Sequence, residues 1–194
     1  LKLSRGLGDV YKRQVKNINN GVISNVSTDL LVIPVNNKTI SSDEFKEIDK
    51  KSNGYLLKSS KEALNPGNQN HLITSINGIT AKKILLVKDL NEKDDIYLWL
   101  NKYKYIAKIA NSMNCKNLSI LDGQVYPNGK NQLWFLEMVS RSIESGAYIF
   151  STTKNKTAKT EKVGKEIISS NVSLKNVTLI TVSYTHLTLP TTML

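Results

Sequence analysis

The chain has 194 residues, 40% hydrophobic and 22% charged, a composition that predicts a soluble globular protein of one ordinary domain or two very small ones. Lys and Arg number 27 against 16 Asp and Glu, a net charge of +11 that permits nucleic-acid, anionic-membrane or acidic partners without choosing among them. The single cysteine, Cys115, excludes an internal disulfide framework and a Cys-rich zinc site. His71 and His186 are too far apart for an H-E-x-x-H helix, and no apolar run approaches the roughly 18 to 20 residues that cross a bilayer.

Both ends differ from the interior. Leu1 to Gln14 (LKLSRGLGDVYKRQ) has no apolar stretch of a secretory signal, and Val182 to Leu194 (VSYTHLTLPTTML) has no charged residue. Both resemble translated library-adapter sequence. The expected native domain is therefore 15–181, between a tail at 1–14 and another at 182–194. That interior has 23 basic and 15 acidic residues, a net charge of +8, and keeps only His71.

Within it, Asp29 to Val35 (DLLVIPV) is a continuous apolar run of strand length, suited to burial on both faces. A shorter strand at Val15 to Ile18 is expected beside it. Ser41 and Ser42 before Asp43 and Glu44 form an N-cap and an acidic first turn, and Phe45, Ile48 and Leu56 supply an apolar stripe for one or two short helices before Pro66-Gly67. His71 to Ile76 and Lys83 to Lys88 read as strands around the Asn77-Gly78 turn. Ile96, Trp99, Leu100, Tyr103, Ala107, Ala110 and Met113 recur at helical spacing behind Asp94 and Asp95, whose charge complements the helix dipole.

Asn117 to Leu121 is a strand ended by Asp122-Gly123. A second long helix, from about Gln132 to Phe150, turns Phe135, Val139, Ile143 and Ala147 inward, with Ser142 and Gly146 small enough for close backbone approach. Ser151 to Lys165 reads as a Lys- and Thr-rich loop, and Val177 to Thr181 as the last strand. Strands alternating with crossover-length helices, together with the hairpin signal, predict an α/β fold with a mixed sheet.

Recognisable catalytic patterns are missing from this order: no G-x-S-x-G, no G-x-x-x-x-G-K-[ST], no C-x-x-C. Cys115 reads as a buried structural thiol, His71 as a strand-end histidine, and Asp43-Glu44 and Asp94-Asp95 as helix-start acids. The lysines at Lys154, Lys156, Lys159, Lys162 and Lys165 have no aromatic residue among them for base stacking, so nucleic-acid binding is expected to be weak and charge-driven.

Three stretches carry a resemblance: STDLLVIPV at Ser27 to Val35, the strand, turn, helix and strand unit at Ala81 to Leu121, and SIESGAYIFSTTKNK at Ser142 to Lys156, with Tyr148, Phe150 and Lys154. In this order they resemble the N-terminal domain of the leucyl aminopeptidases, or cytosol aminopeptidases. The chain departs from that family at Val87-Lys88-Asp89-Leu90, where a Gly-containing turn is usual, and at Ser145, which separates Glu144 from Gly146. The resemblance implies a macro-domain-like fold, a mixed sheet flanked by helices. It also implies a cytoplasmic parent enzyme that removes N-terminal residues from peptides with two divalent metal ions, zinc or manganese, activating a bridging water. The family's metal ligands and catalytic Lys and Arg belong to a following C-terminal domain, and the signature Asn-Thr-Asp-Ala-Glu-Gly-Arg-Leu is not in this sequence. The expected role is thus non-catalytic, with the enzyme's own catalytic domain and a hexameric assembly as partners, no catalytic or metal residue within the chain, and no membrane association.

The alternative is a stand-alone macro-type module binding ADP-ribose or a related nucleotide. Asp29 at the strand start, with Asn36 and Asn37 after it, outlines such a module's first motif, although Lys38 to Glu44 has no glycine to cradle phosphates.

Overall fold

A computed structural model describes residues 12–17, 23–64, 70–74, 76–147 and 174–181, forming a mixed α/β fold. The strands are β1 (Lys12–Asn17), β2 (Leu30–Val35), β3 (Asn70–Thr74), β4 (Lys83–Lys88), β5 (Asn117–Leu121) and β6 (Asn176–Thr181). They form one six-stranded sheet in the order β1-β6-β5-β2-β4-β3. The helices are α1 (Asn37–Ser41), α2 (Asp43–Lys51), α3 (Tyr55–Ala63), α4 (Ile96–Ser112) and α5 (Gln132–Ala147). Contacts divide the chain into two compact units, one holding α4 and α5, the other the sheet and α1 to α3.

In the sheet unit, β2 is parallel to β4 on one side, with Leu31 opposite Ile84 and Val35 opposite Lys88, and parallel to β5 on the other, with Leu30 opposite Leu118. Every residue of β2 is buried, as its uninterrupted apolar run requires for a strand covered on both faces. β3 and β4 are antiparallel, with Ile73 opposite Ile84, so the sheet is mixed. The Asn77-Gly78 turn lies between them, Gly78 at φ 86°, and the Ile79 N–H donates to Ile76 O at 3.2 Å. The expected strand near Val15 forms at Lys12–Asn17 but does not lie beside β2; its neighbour is β6. Both sides of β2 are already taken by β4 and β5.

Ser42 caps α2 by accepting from the Phe45 N–H at 3.2 Å, and Phe45, Ile48 and Leu56 bury into a cluster with Leu31, Ile33, Ile84 and Leu86. Helix α3 packs on β3 and β4. The short α1, entered directly from Asn36, occupies what the sequence presents as a loop.

In the other unit, Asp95 caps α4, its Oδ1 accepting from the Tyr97 N–H at 2.9 Å. Trp99, Tyr103, Ala107 and Ala110 are buried as their spacing predicts, together with Ile106. Ile96 is 38% exposed, so the buried face starts one turn later than the periodicity suggests. Trp99 and Tyr103 each meet Phe135 of α5 edge-on, with ring centroids 5.9 and 5.6 Å apart. A Cβ at Gly146 would lie 2.6 Å from Lys104 Cα, the close backbone approach its small size anticipates. Cys115 is buried, as expected of a structural thiol. Tyr148, Phe150 and Lys154, the loop at Ser151 to Lys165, and both tails lie outside the described residues, apart from the β1 portion of the first tail.

Candidate functional site at the strand ends

Three parallel strands in register bring the residues that follow them to one edge. Asn36 follows β2, Asp89 follows β4, and Asp122 and Gly123 follow β5. In open α/β sheets, crevices beyond the carboxyl ends of parallel strands are where ligands bind.

Asn36 is the centre of this edge. Its backbone is extended at φ −146°, and its Oδ1 accepts from the Thr39 N–H at 2.7 Å, capping α1. Its Nδ2 donates to Asp89 Oδ2 at 2.8 Å and to Gly123 O at 3.0 Å. One side-chain amide thus links the ends of β2, β4 and β5 through three of the four hydrogen bonds it can make. The Asp89 N–H donates to Val35 O at 3.0 Å, carrying the parallel ladder one residue past the strands. Gly123 is buried, and a Cβ there would run into the Asp89 carboxylate and lie 3.0 Å from Pro34 Cβ. Only glycine fits. Asp122 is 4% exposed; its N–H donates to Ile180 O at 2.8 Å, and its Oδ1 accepts from the N–H of Gln124, a residue with φ 58°.

Among the described residues this edge presents an amide already engaged by the protein and the half-buried Asp89 carboxylate, while the Asp122 carboxylate is buried and accepts from the Gln124 N–H. The Thr39 N–H, which an open helix start would offer to an anion, is covered by Asn36.

Of the residues singled out for a nucleotide cleft, Asn36 is at this edge, and Asn37 is the exposed first residue of α1. Asp29 is not with them. It stands at the start of β2, seven residues and about 23 Å of strand away. There its Oδ1 meets Lys82 Nζ at 2.7 Å, an ion pair across the beginnings of β2 and β4 next to the Lys82 N–H to Thr28 O bond of 3.1 Å. The motif is continuous in sequence, but a strand holds its two ends apart. Asp89, Asp122 and Gly123 were not apparent as site residues from the sequence. The available signal was one Asn or Asp immediately after each of three apolar strands.

Among the described residues no group of three or more His, Cys, Asp or Glu could hold a metal ion, and no helix is long and apolar enough to cross a membrane. His71 stands half-buried in β3.

The mixed α/β fold is that of macrodomains, as superposition on solved structures shows. No family model matches the sequence, and no curated protein is significantly similar to it. Solved structures are. A tomato leucine aminopeptidase mutant superposes with a TM-score of 0.56 at 14% identity, over 90% of this chain and 34% of that one. A mutant Oceanobacillus iheyensis macrodomain gives 0.59 at 12%, over 92% of this chain and 88% of that one. The Trypanosoma brucei macrodomain in complex with ADP-ribose gives 0.58 at 11%, over 88% and 64%. The chain spans about a third of the length of the tomato enzyme. At these identities the likeness is one of fold.

Proposed function

We propose that this chain serves as the non-catalytic, macro-like N-terminal domain of a leucyl aminopeptidase. The observation that carries the reading is the filled strand-end edge: Asn36, Asp89 and Gly123 close on one another where a nucleotide-binding module needs open backbone N–H groups. The sequence resemblance at Ser27 to Val35 and Ala81 to Leu121, and the superposition on a tomato leucine aminopeptidase, support it from a second direction. In such a parent, two zinc or manganese ions in a separate catalytic domain would activate water for attack on the first peptide bond. In this reading the domain's part is structural: supporting a hexamer and shaping access to the catalytic domain.

The second reading, ADP-ribose binding, is favoured by one observation: the chain superposes, over 88% of its length, on a Trypanosoma brucei macrodomain in complex with ADP-ribose. Calorimetry with ADP-ribose separates the two. The aminopeptidase reading expects no binding at micromolar concentrations, and a micromolar Kd would overturn it. Joining the chain to its downstream coding sequence is expected to give a product that hydrolyses leucine p-nitroanilide once Mn²⁺ or Zn²⁺ is added; an inactive, well-folded product would count against it.

A further inference from the structure

Among the described residues, five of the seven exposed large hydrophobic side chains lie on α4 and α5. Three of them, Tyr97 at 69%, Leu98 at 52% and Tyr105 at 53%, stand on one face of α4. At about 3.6 residues per turn, these three fall with Asn101, Lys104 and Lys108 within roughly 120° of arc. The opposite side carries Trp99, Tyr103, Ile106 and Ala110, all buried. An exposed apolar face on a helix whose other side already fills the core marks an interaction surface.

The face is ordered symmetrically about Asn101. Tyr97 and Tyr105 stand four residues to either side of it, and Asp94 and Lys108 seven residues to either side, the acid just ahead of the helix and the lysine in its second half. Within α4 the charged residues are Lys102, Lys104 and Lys108, with no acid. Lys102 lies over the Trp99 and Tyr103 rings, its Nζ 5.7 and 5.6 Å from their centroids. Lys104 and Lys108, by contrast, make no ion pair or side-chain hydrogen bond among the described residues. Asp94 Oδ2 accepts from the Asn91 N–H at 2.7 Å, and no described cation pairs with the carboxylate. One end of the face is thus anionic and the other cationic.

We propose that this face pairs with the same face of a second copy of the chain, the two α4 helices running antiparallel about a two-fold axis at Asn101. An isologous contact makes every pair twice. Tyr97 meets Tyr105 of the partner subunit, Asp94 meets Lys108 of the partner subunit, and the stem of Lys104 covers Leu98 of the partner subunit. The antiparallel sense is the one that sets acid against lysine; a parallel pair would set lysine against lysine. A polyanion such as single-stranded nucleic acid fits less well, because it would use the lysines but meet the Asp94 carboxylate at the other end and the aliphatic Leu98 between. The net charge of +11 opposes approach at long range, but at about 0.15 M salt charges more than about 8 Å apart are largely screened. The contact needs only this chain, so it requires neither the aminopeptidase nor the nucleotide reading.

The test is sedimentation velocity on the whole chain at about 0.15 M salt, which reads mass against concentration. The expected result is a monomer–dimer equilibrium with a Kd of about 10 to 500 μM, the weak range of a small interface. Tyr105→Ala, a change that also favours the helix, should weaken the dimer at least about 10-fold, as loss of a central aromatic does. Asp94→Lys and Lys108→Glu should each weaken it at least as much, because each sets like charges together twice. Mixed in equal amounts, these two variants should dimerise with each other about as tightly as the parent does with itself, since opposite charges then meet at both contacts. A chain that stays monomeric throughout that range, a dimer that Tyr105→Ala leaves unchanged, or no dimer in the mixture when both variants keep the parent's far-UV circular dichroism would overturn the proposal. So would a monomer that binds oligothymidine through Tyr105, which would assign the face to nucleic acid. If either charge variant is unfolded, Tyr105→Ala decides alone.

Discussion

Replacing Asn36 tests the strand-end edge most directly, because its three hydrogen bonds can be separated chemically. Asn36→Ser keeps a hydroxyl oxygen able to accept from the Thr39 N–H, but removes the donations to Asp89 Oδ2 and Gly123 O. Asn36→Ala removes all three. A hydrogen bond to a charged group contributes about 1.5 to 3 kcal/mol and a neutral one about 0.5 to 1.5 kcal/mol, so Ser should destabilise by about 2 to 3 kcal/mol, taking the low end for a half-buried site. Loss of the cap adds about 1 kcal/mol, bringing Ala to about 3 to 4 kcal/mol. Urea unfolding followed by far-UV circular dichroism, extrapolated linearly to water, measures both. At this chain length each kcal/mol lowers Tm by about 2 to 4 °C, so Asn36→Ala should melt roughly 10 °C below the parent. The reasoning is refuted if both variants stay within about 0.5 kcal/mol of the parent, or if Ser and Ala are equally destabilised, which would mean that the cap contributes nothing.

Gly123→Ala places a methyl group against the Asp89 carboxylate and Pro34, and should destabilise by about 1 to 3 kcal/mol in the same denaturation assay. Gly146→Ala gains about 1 kcal/mol of helix propensity but forces α5 away from the Lys104 backbone, so a net loss of about 1 to 2 kcal/mol is expected; a rise in Tm would show that the helices separate freely. Cys115, 2% exposed, should react with a thiol reagent such as DTNB only when the protein is unfolded in guanidinium, and immediate labelling of the native chain would contradict its burial.

The sequence made the buried centre of the sheet legible because apolar runs and helical periodicity are local signals. The runs Asp29 to Val35 and Lys83 to Lys88 predict strands that form within one residue of those bounds, and the stripe through Trp99 and Tyr103 predicts the buried face of α4. Partner choice was less legible. β1 lies beside β6 because β4 and β5 already flank β2, a matter of topology that no local pattern encodes. The helix α1 was missed since NKTIS has almost no apolar periodicity, and its clearest marker is a capping bond from Asn36 that looks in sequence like the start of a turn. The strand-end edge was half visible. Asn36 stood out, but its partners Asp89 and Gly123 are 53 and 87 positions away, and only parallel registration brings them together.

That separation bears on how the protein folds. The Asn36 bonds to Asp89 and Gly123 cannot form until β2 has met β4 and β5, whereas its cap on the Thr39 N–H is local; the long-range pair is expected to form late and to be missing from the transition state. Asn36→Ser, which keeps the cap, should then leave the refolding rate nearly unchanged and accelerate unfolding by almost the whole of its destabilisation. The same small amide that links the three strand ends would then act as a late latch, setting how long the native sheet survives rather than how quickly it is reached.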